Sequence, residues 1–407
     1  MKANCPDPVL PRHSVQAFET TGPVLLTNKS RQPTAAGQPS VRHYVAGGAE
    51  HGGGIGRLIG YILGACDGRD HRVTDTRGPR WSPLTSPFRL GAAAALMIVD
   101  RVVAPQRIHH LHIAGRGSTA RKLILGWLAR RLGCAHVLHL HDFDYAQDFR
   151  RRPPSHQRLI RDLFQKADRV ITLGRRDAGT VVDLLGVPQA RVDILHNAVP
   201  DPIRGAIKAF PDTGKDVGIV FLGQLGERKG VPELLKALAH PSMEALRWRA
   251  VLAGDGPVDL YRAKAAELGL TNRVTMPGWL SADDARDLCR DSDILVLPSH
   301  GEGMAMAVLE GLAQGLAVVT TPVGAHEEIL TDDVNCAFVP VGDPVALAHA
   351  LADLVTQPER RNRLAGSGRA YYLRALSMEA YMSRLDAVLA SVRPGRLAVP
   401  EGRGRSA

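Results

Sequence analysis

Short apolar runs alternate with segments of helical period through most of this chain, beginning at Val41. In the first half, apolar runs predict strands at 41–45, 72–75, 108–113, 136–141, 169–173 and 192–195. Segments 118–132 and 155–167 carry apolar residues at helical spacing, and Ser118 or Thr119 is predicted to cap the first of these helices. Alternating strands and helices are typical of βαβ units, so we expect a parallel sheet.

A second series of the same kind follows a Pro-, Gly- and Lys-rich stretch at 200–216. Strands are predicted at 217–222, 250–253, 274–276, 294–297 and 317–320. Helices are predicted near 231–239, 259–268, 282–289, 305–314 and 344–355. Two doubly wound halves of this kind form a cleft in which the carboxyl ends of both sheets face one ligand.

These patterns divide the chain into four predicted segments. Residues 1–40 are rich in Pro, Thr, Ser and Gln and are expected to be a disordered tail, and 394–407 a flexible one. The two α/β domains are predicted at 41–205 and 217–375. The last helix, at 377–392, is amphipathic and is expected to pack back on the first domain.

Composition narrows the class of protein. The 407 residues carry 51 Lys and Arg against 41 Asp and Glu, and 44% are apolar, enough for two cores. Five scattered cysteines without a Cys-x-x-Cys pair indicate reduced thiols and a cytoplasmic location. Aromatics at 5%, with no basic run interleaved with them, argue against nucleic acid. A diphosphate substrate or an anionic membrane fits the +10 charge better, and a solvated basic surface is the alternative.

The segment 299–322 carries the clearest candidate chemistry. A strand at 294–297 runs into a Gly-flanked turn, and a helix is predicted to begin at about Met304. The amides of Gly303, Met304 and Ala305 would then be free donors at a helix N-terminus, which is an anion site. Glu302 and Glu310 flank this turn. Carboxylates accept hydrogen bonds from hydroxyls, so we expect them to contact a sugar or a ribose, with solvated surface glutamates as the alternative.

At this point the chain resembles a known family, the retaining glycosyltransferases of family four, also called group 1 glycosyltransferases. The two glutamates, seven residues apart and followed by Gly-Leu-Ala-Gln-Gly-Leu-Ala-Val-Val-Thr, are similar to the family signature. Other segments fall in family order: 195–199, 222–231, 252–257, 274–278 and 324–329. The resemblance is strong over 170–375 and weak over 41–170. It implies a GT-B fold, in which the first domain binds the acceptor and the second a nucleotide-sugar donor.

The resemblance also assigns roles in the donor site. Glu302 would contact the sugar hydroxyls, Glu310 the ribose, and Lys229 the diphosphate. Where the family usually has an arginine this chain has Gln224, and Arg228 beside Lys229 is expected to supply a cation. The resemblance implies a reaction that retains the anomeric configuration and needs neither a metal nor a cofactor.

Two features of the first half complete the predicted site. Glycines in 51–57, among them Gly54 and Gly56, follow the first strand and would let backbone approach a phosphate or acceptor. His139 and His141 share one face of a strand, and His141 lies at its tip. In the family a histidine at this strand end contacts the donor sugar, so that role falls on His141. His109, His110 and His112 are expected to be structural or acceptor-side, and a metal site is not expected.

The resulting hypothesis is a glycosyltransferase of cell-surface or exopolysaccharide biosynthesis. Its acceptor would be a saccharide, free or polyprenyl-linked. The alternatives are a sugar-nucleotide epimerase or hydrolase and an inactive nucleotide-sugar-binding subunit. The basic stretches 116–122 and 150–152 lie on the acceptor half and could rest on an anionic membrane, although a solvated helical face explains them equally. We therefore expect a cytoplasmic protein that is peripheral to the inner face of the membrane.

Overall fold

The computed structural model describes residues 39–66, 68–203 and 214–392. The predicted tails at 1–40 and 394–407 lie outside these ranges, apart from residues 39 and 40. Among the described residues, no helix combines the length and the apolar character needed to cross a bilayer.

The first domain is built on a six-stranded parallel sheet. Its strand order is β2-β1-β3-β4-β5-β6. The strands are β1 Val41–Val45, β2 His71–Asp75, β3 Ile108–Ile113, β4 His136–Leu140, β5 Arg169–Thr172 and β6 Val192–Ile194. The residues of β1, β3 and β4 are all buried, which is typical of a parallel sheet covered on both faces.

Helices cover both faces of this sheet. They are α1 Gly53–Gly64, α2 Thr85–Val103, α3 Gly117–Arg131, α4 Tyr145–Arg150, α5 Pro154–Gln165 and α6 Arg175–Gly179. Apolar side chains of α2, α3 and α5 pack with Leu111 and Leu138 on one face, whereas α1 packs on the other face, with Val41 and Val137.

The second domain repeats the architecture. Its parallel sheet has the order β12-β11-β10-β7-β8-β9. The strands are β7 Val217–Leu222, β8 Trp248–Ala253, β9 Val274–Gly278, β10 Ile294–Leu297, β11 Ala317–Thr320 and β12 Ala337–Phe338. The helices are α7 Val231–Leu238, α8 Pro241–Glu244, α9 Val258–Glu267, α10 Ala282–Arg290, α11 Met306–Gln314, α12 His326–Ile329, α13 Pro344–Thr356 and α14 Pro358–Ala375.

The chain returns to the first domain at its end. Helix α15, Met378–Ala390, buries Tyr381 and Leu385 against Leu58 and Ile62 of α1. The Tyr372 hydroxyl of α14 donates to the Val199 carbonyl at 2.9 Å, so the two domains are joined at this crossing as well as through the chain near 200–216.

The structure confirms the predicted two-sheet α/β architecture, with local corrections. Neither Ser118 nor Thr119 caps α3, because the helix begins at Gly117 after Arg116, whose φ is 59°. Instead, the Ser118 hydroxyl accepts from the Ala114 amide and the Thr119 hydroxyl donates to the Ala114 carbonyl, so both side chains hold the preceding loop. The pattern did not predict α1, α2, α4, α6, α8, α12, α14 or the two-residue strand β12.

Candidate active site

Loops from the two domains meet directly at the predicted site. A Cβ placed on Gly301 would come within 2.8 Å of the Phe143 ring, and one on Gly303 within 3.6 Å of the His141 carbonyl oxygen. The loop after β10 therefore lies against the loop after β4 with no room for side chains between them. This contact brings Glu302 of one domain and His141 of the other to the same interdomain cleft.

Glu302 lies in this loop as a buried carboxylate held by two cations. Its Oε1 is 2.6 Å from Lys229 Nζ and 3.2 Å from Arg228 Nη1. Arg228 also donates to the Gly301 carbonyl at 2.9 Å. The structure therefore brings three of the predicted donor-site residues together. Gln224, which lies after β7 in the same segment as Arg228 and Lys229, is exposed.

Two glycines allow the close backbone contacts that hold these loops. Gly230 has a φ of 71°, and a Cβ there would lie 2.0 Å from the Pro298 carbonyl oxygen. Gly324 has a φ of 57°, and a Cβ there would lie 2.0 Å from the Glu302 carbonyl oxygen. A side chain at either position would be strained and would also displace a loop of the site. Both glycines thus fix the positions of Lys229 and Glu302.

The predicted anion site at 303–305 needs correction. Helix α11 begins at Met306 rather than at 304, because Ala305 is extended, with φ −72° and ψ 121°. The Ala305 amide is not free, since it donates to His326 Nε2 at 3.4 Å. Burial lowers the pKa of His326, so its ring is a neutral acceptor for that amide. The free first-turn amides of α11 therefore begin at Met306.

Glu310 lies on α11 and reaches the first domain. Its Oε1 accepts from Arg57 Nη1 at 2.8 Å, and the Tyr61 hydroxyl is 3.4 Å away. Burial raises the pKa of Glu310, and the Arg57 charge opposes that effect. These side chains line an interdomain cavity of about 270 Å³ that also includes Arg286 and Gln314. Sequence motifs did not single out Arg57 or Tyr61, although Arg57 directly follows the glycine run.

The two predicted glycines of this run have different environments. Gly54 lies in the first turn of α1, and a Cβ there would lie 3.8 Å from Met306 Cγ, so this turn faces the start of α11. Gly56 lies inside α1, where a Cβ would come within 2.8 Å of the Gly48 carbonyl oxygen and 2.9 Å of that of Ala49. The bare backbone of Gly56 thus packs against its own domain, and a ligand contact at Gly56 stays a prediction.

Buried histidines form a cluster beneath the cleft on one face of the first sheet. His141 Nε2 is 2.9 Å from His112 Nδ1, and His112 Nε2 is 3.0 Å from His43 Nδ1. His43 Nε2 is in turn 3.0 Å from His71 Nδ1, so four rings form one hydrogen-bonded chain. Burial lowers the pKa of His141 to about 3, which keeps its ring neutral.

Two further rings, His110 and His139, lie in the same cluster. Neither nitrogen of either ring has a hydrogen-bond partner among the described residues. Nitrogens of His112, His139 and His141 lie within 4.8 Å of one another, as do those of His43, His110 and His112. Either triad has the nitrogen spacing to hold a metal ion, in contrast to the sequence expectation. The His-x-His spacing at 110–112 and 139–141 was the signal for such a cluster.

Comparisons with known proteins cover both domains. The family described as "Glycosyl transferase 4-like domain" matches residues 38–198, and "Glycosyl transferases group 1" matches 206–371. A D-inositol 3-phosphate glycosyltransferase of Streptosporangium roseum is 27% identical over 299 residues, 68% of this chain and 68% of that protein. The lipopolysaccharide core biosynthesis glycosyltransferase LpsE of Rhizobium meliloti is 33% identical over 186 residues, 45% of this chain and 53% of that protein.

A solved structure shares the whole architecture. Anabaena HepE, crystallised in complex with UDP, aligns with a TM-score of 0.68 at 17% sequence identity. The alignment covers 87% of this chain and 100% of that one. The likeness identifies the fold of both domains together as GT-B.

Proposed function

Because the chain belongs to the group 1 glycosyltransferases, we propose that it moves a sugar from a nucleoside-diphosphate donor to an acceptor hydroxyl with retention of anomeric configuration. The observation that carries the proposal is the contact of Glu302, in the loop that lies against the His141 loop, with Lys229 and Arg228 of the segment after β7. A carboxylate and two cations in a buried cleft suit a ligand with both hydroxyls and phosphates.

The chemistry follows from the charges of these groups. The acceptor oxygen forms a bond to the anomeric carbon, and the bond from that carbon to the diphosphate oxygen breaks. The electron pair leaves with the nucleoside diphosphate, and the hydroxyl proton is released. Lys229 and Arg228 stabilise the charge that grows on the leaving oxygen. Glu302 accepts hydrogen bonds from sugar hydroxyls, and Glu310 from the ribose. The neutral ring of His141 lies on the opposite side of the cleft, where it would contact the sugar.

Names of similar proteins support the finer parts of this proposal. HepE has been crystallised with UDP and with UDP-glucose, which favours a nucleoside-diphosphate sugar as donor. The name of LpsE refers to lipopolysaccharide core biosynthesis, which favours a saccharide acceptor in cell-surface polysaccharide synthesis.

Release of nucleoside diphosphate tests the proposal against its rivals. A panel of nucleotide sugars is incubated with the protein, with and without a lipid and oligosaccharide extract. We expect release that depends on the extract and is lost in Glu302→Gln. Equal release without the extract would indicate a hydrolase, and epimerised donor without release an epimerase. No turnover with any donor that binds would indicate an inactive nucleotide-sugar-binding subunit. Anomeric configuration is then read from the product by NMR.

We also propose that the reaction needs no metal or other cofactor, because two cations already face the diphosphate position. The histidine triad of His112, His139 and His141 is the arrangement that could contradict this. Dialysis against EDTA should leave turnover unchanged. A loss of turnover that Zn²⁺ or Mg²⁺ restores would show that a metal takes part.

We further propose that the first domain docks on an anionic membrane from the cytoplasmic side, through a different surface from the one predicted. Arg152 of the predicted edge is paired with Asp148 at 2.8 Å, and Lys122 is fully buried. In contrast, α2 and the turn before it leave large apolar side chains in solvent, with Leu84 85%, Phe88 79% and Val102 77% exposed. Between residues 76 and 131 the chain has ten Lys or Arg and one Asp. An apolar helix face within a basic domain fits the headgroup region of an anionic bilayer.

A further inference from the structure

A second cavity, of about 520 Å³, lies within the first domain at the carboxyl ends of β1 and β3. Its wall includes the ring of His112, which is hydrogen-bonded to His141 of the candidate active site. Val45, Ile55 and Trp81 form its apolar side, and Arg77, Arg121 and the loop at 115–118 its polar side. The cavity therefore lies in the acceptor domain, next to the proposed position of the reacting sugar.

The cations around this cavity lack carboxylate partners. Neither Arg77 nor Arg121 forms an ion pair with any described residue. Arg77 donates to the carbonyls of Gly78, Pro79 and His51 at 3.0 to 3.2 Å, whereas Arg121 Nε is buried without a hydrogen-bond partner. Lys122 follows Arg121 and is fully buried, with one long hydrogen bond, 3.4 Å, to the Thr76 hydroxyl. Burial lowers the pKa of Lys122 to about 7, which shows how poorly its charge is compensated.

The carboxylates beside this cavity already accept hydrogen bonds. Asp142 accepts from the Gly115 amide at 2.6 Å, and Asp148 from the Arg116 amide at 3.1 Å. Asp75 accepts from the amides of Gly47, Arg77 and Gly78 at 2.8 to 2.9 Å. Its other oxygen accepts from Arg89 Nη1 at 3.1 Å. Asp75 therefore serves to shape the loop after β2, and it forms no ion pair with Arg77 or Arg121.

The backbone adds to the positive electrostatic potential in this cavity. Helix α3 begins at Gly117, and Gly117 and Ser118 line the cavity with its first turn. First-turn amides and the positive end of the helix dipole favour an anion. Two guanidinium groups without carboxylate partners, the neighbouring buried Lys122 and a helix N-terminus together exceed what a neutral sugar would need. Arginines also bind phosphate oxygens bidentately.

We propose that this cavity binds a phosphate or diphosphate group of the acceptor, so that the substrate glycosylated here is a phosphorylated saccharide. The inference rests on the proposed function for the assignment of acceptor to this domain. The phosphate lies against Arg77, Arg121 and the start of α3, and the rest of the acceptor extends past His112 toward His141. The same chemistry is offered by a soluble sugar phosphate and by a lipid-linked saccharide, whose chain would pass over Trp81.

Direct binding measurements separate this site from the donor site. Pyrophosphate is titrated by calorimetry into wild type, Lys229→Ala, Arg121→Gln and the double variant. We expect two sites in wild type, one in each single variant and none in the double variant. Removing one charge-assisted hydrogen bond should weaken the affected site about tenfold or more. Arg374→Gln, an exposed arginine on α14, is the matched control and should keep both sites.

Two further arms identify the source of the phosphate. In one, glucose 1-phosphate competes with pyrophosphate at the Arg121 site of Lys229→Ala. In the other, the same variant is sedimented with neutral phosphatidylcholine vesicles that contain a few per cent undecaprenyl phosphate. The proposal is supported by competition in the first arm, or by co-sedimentation in the second, that disappears in Arg77→Gln and Arg121→Gln. The arm that responds identifies the source of the phosphate. Pyrophosphate binding to Lys229→Ala that both arginine variants retain would overturn it.

Donor hydrolysis keeps the two proposals distinguishable. If wild type turns over no donor but the Arg121 site still binds pyrophosphate, the proposed function fails and the anion site stands. If acceptor-dependent turnover is normal in Arg77→Gln and Arg121→Gln, the function stands and the phosphorylated acceptor is wrong.

Discussion

Lys229 Nζ lies 2.6 Å from Glu302 Oε1, and the two side chains are only 13% and 9% exposed. The cation expected to hold the diphosphate and the carboxylate expected to hold the sugar are therefore partners of each other. Diphosphate binding has to draw Lys229 away from Glu302, and sugar hydroxyls have to replace that contact. The sugar and the diphosphate of the donor should therefore bind together. A diphosphate without a sugar would draw Lys229 away and leave the buried carboxylate of Glu302 with fewer partners.

Replacing Lys229 with alanine should lower kcat/KM for the donor by about 10-fold or more, because one charge-assisted hydrogen bond to the diphosphate is lost. It should also destabilise the fold, because Glu302 keeps only its 3.2 Å contact to Arg228. Kinetics and urea denaturation measure the two effects. Arg228→Ala is the matched comparison and should cost less in stability, since Arg228 is 44% exposed. Unchanged kinetics in a folded Lys229→Ala would assign the diphosphate to Arg228.

The pair of Arg57 and Glu310 predicts two opposite effects on donor binding. If Glu310 binds the ribose, Glu310→Gln should raise the donor KM several-fold, because an ionised acceptor is lost. Arg57→Ala should leave the KM unchanged or lower it, because the 2.8 Å contact to Arg57 competes for the same oxygen. Steady-state kinetics with varied donor test this. A rise in KM of similar size for both variants would mean that Arg57 and Glu310 position each other instead.

Much of the site could be predicted because its residues lie in local motifs. Glu302 and Glu310 flank a turn that the sequence pattern predicts, and Lys229 lies in a segment that resembles the family's. Strand alternation placed His139 and His141 on one face. The contact between Arg57 and Glu310 could not be found in this way. It joins residues 253 positions apart and depends on how the two domains are set against each other.

The start of α11 and the histidine cluster are two further features that the sequence pattern could not predict. Glycines before an apolar helical run indicated a start near Met304, but tertiary contact with His326 keeps Ala305 extended. The register that pairs His43 with His110, and His112 with His139, follows from strand order in the sheet. Strand order is a property of the fold that local periodicity does not contain.

Gly324→Ala should abolish activity, because the new Cβ would lie 2.0 Å from the Glu302 carbonyl oxygen. Gly269→Ala is a matched control: its φ is 74° against 57° for Gly324, but its Cβ would meet nothing within 4 Å. The positive φ alone costs about 1–2 kcal/mol in either variant. We expect similar losses of stability for that reason, a further loss in Gly324→Ala, and normal turnover in Gly269→Ala. Normal turnover in both variants would show that the Glu302 loop is not held by this contact.

The buried histidines predict that stability falls in mild acid. Burial lowers the pKa of His109 to about 4, and those of His110 and His141 to about 3, whereas unfolded histidines titrate near 6.5. Below about pH 6.5 the unfolded chain therefore binds more protons than the folded one, and the free energy of unfolding decreases. Each such group contributes a slope of about 1.4 kcal/mol per pH unit between its two pKa values.

Replacing His110 tests this cause directly. Neither ring nitrogen has a hydrogen-bond partner in the part of the chain that the structure describes. His110→Leu therefore removes no hydrogen bond found there and should reduce the slope by the contribution of one group. Urea denaturation at pH 7.5, 6.0 and 5.0 gives the slope, and His156→Gln, at an exposed position on α5, is the control. An unchanged slope in His110→Leu would show that His110 is not among the groups that destabilise the fold in acid.

Vesicle binding should depend on the exposed face of α2 rather than on the arginines at 150–152. Burial of Leu84 and Phe88 in the headgroup region contributes about 25 cal/mol for each Å² removed from water, and each nearby cation about 1 kcal/mol. The double variant Leu84→Ser and Phe88→Ser should therefore lose most binding to anionic vesicles, whereas Leu373→Ser on α14 should keep it.

The salt dependence separates the two contributions in the same assay. The charge attraction should weaken as the Debye length shortens from about 30 Å at 0.01 M to about 10 Å at 0.1 M salt. The apolar contribution should remain, so the double variant should be more salt-sensitive than wild type. Changing Arg150, Arg151 and Arg152 to Gln should have a smaller effect, because Arg152 is held by Asp148 at 2.8 Å. Co-sedimentation measures all of these. If the triple arginine variant loses binding and the α2 variant does not, the basic edge is the docking surface.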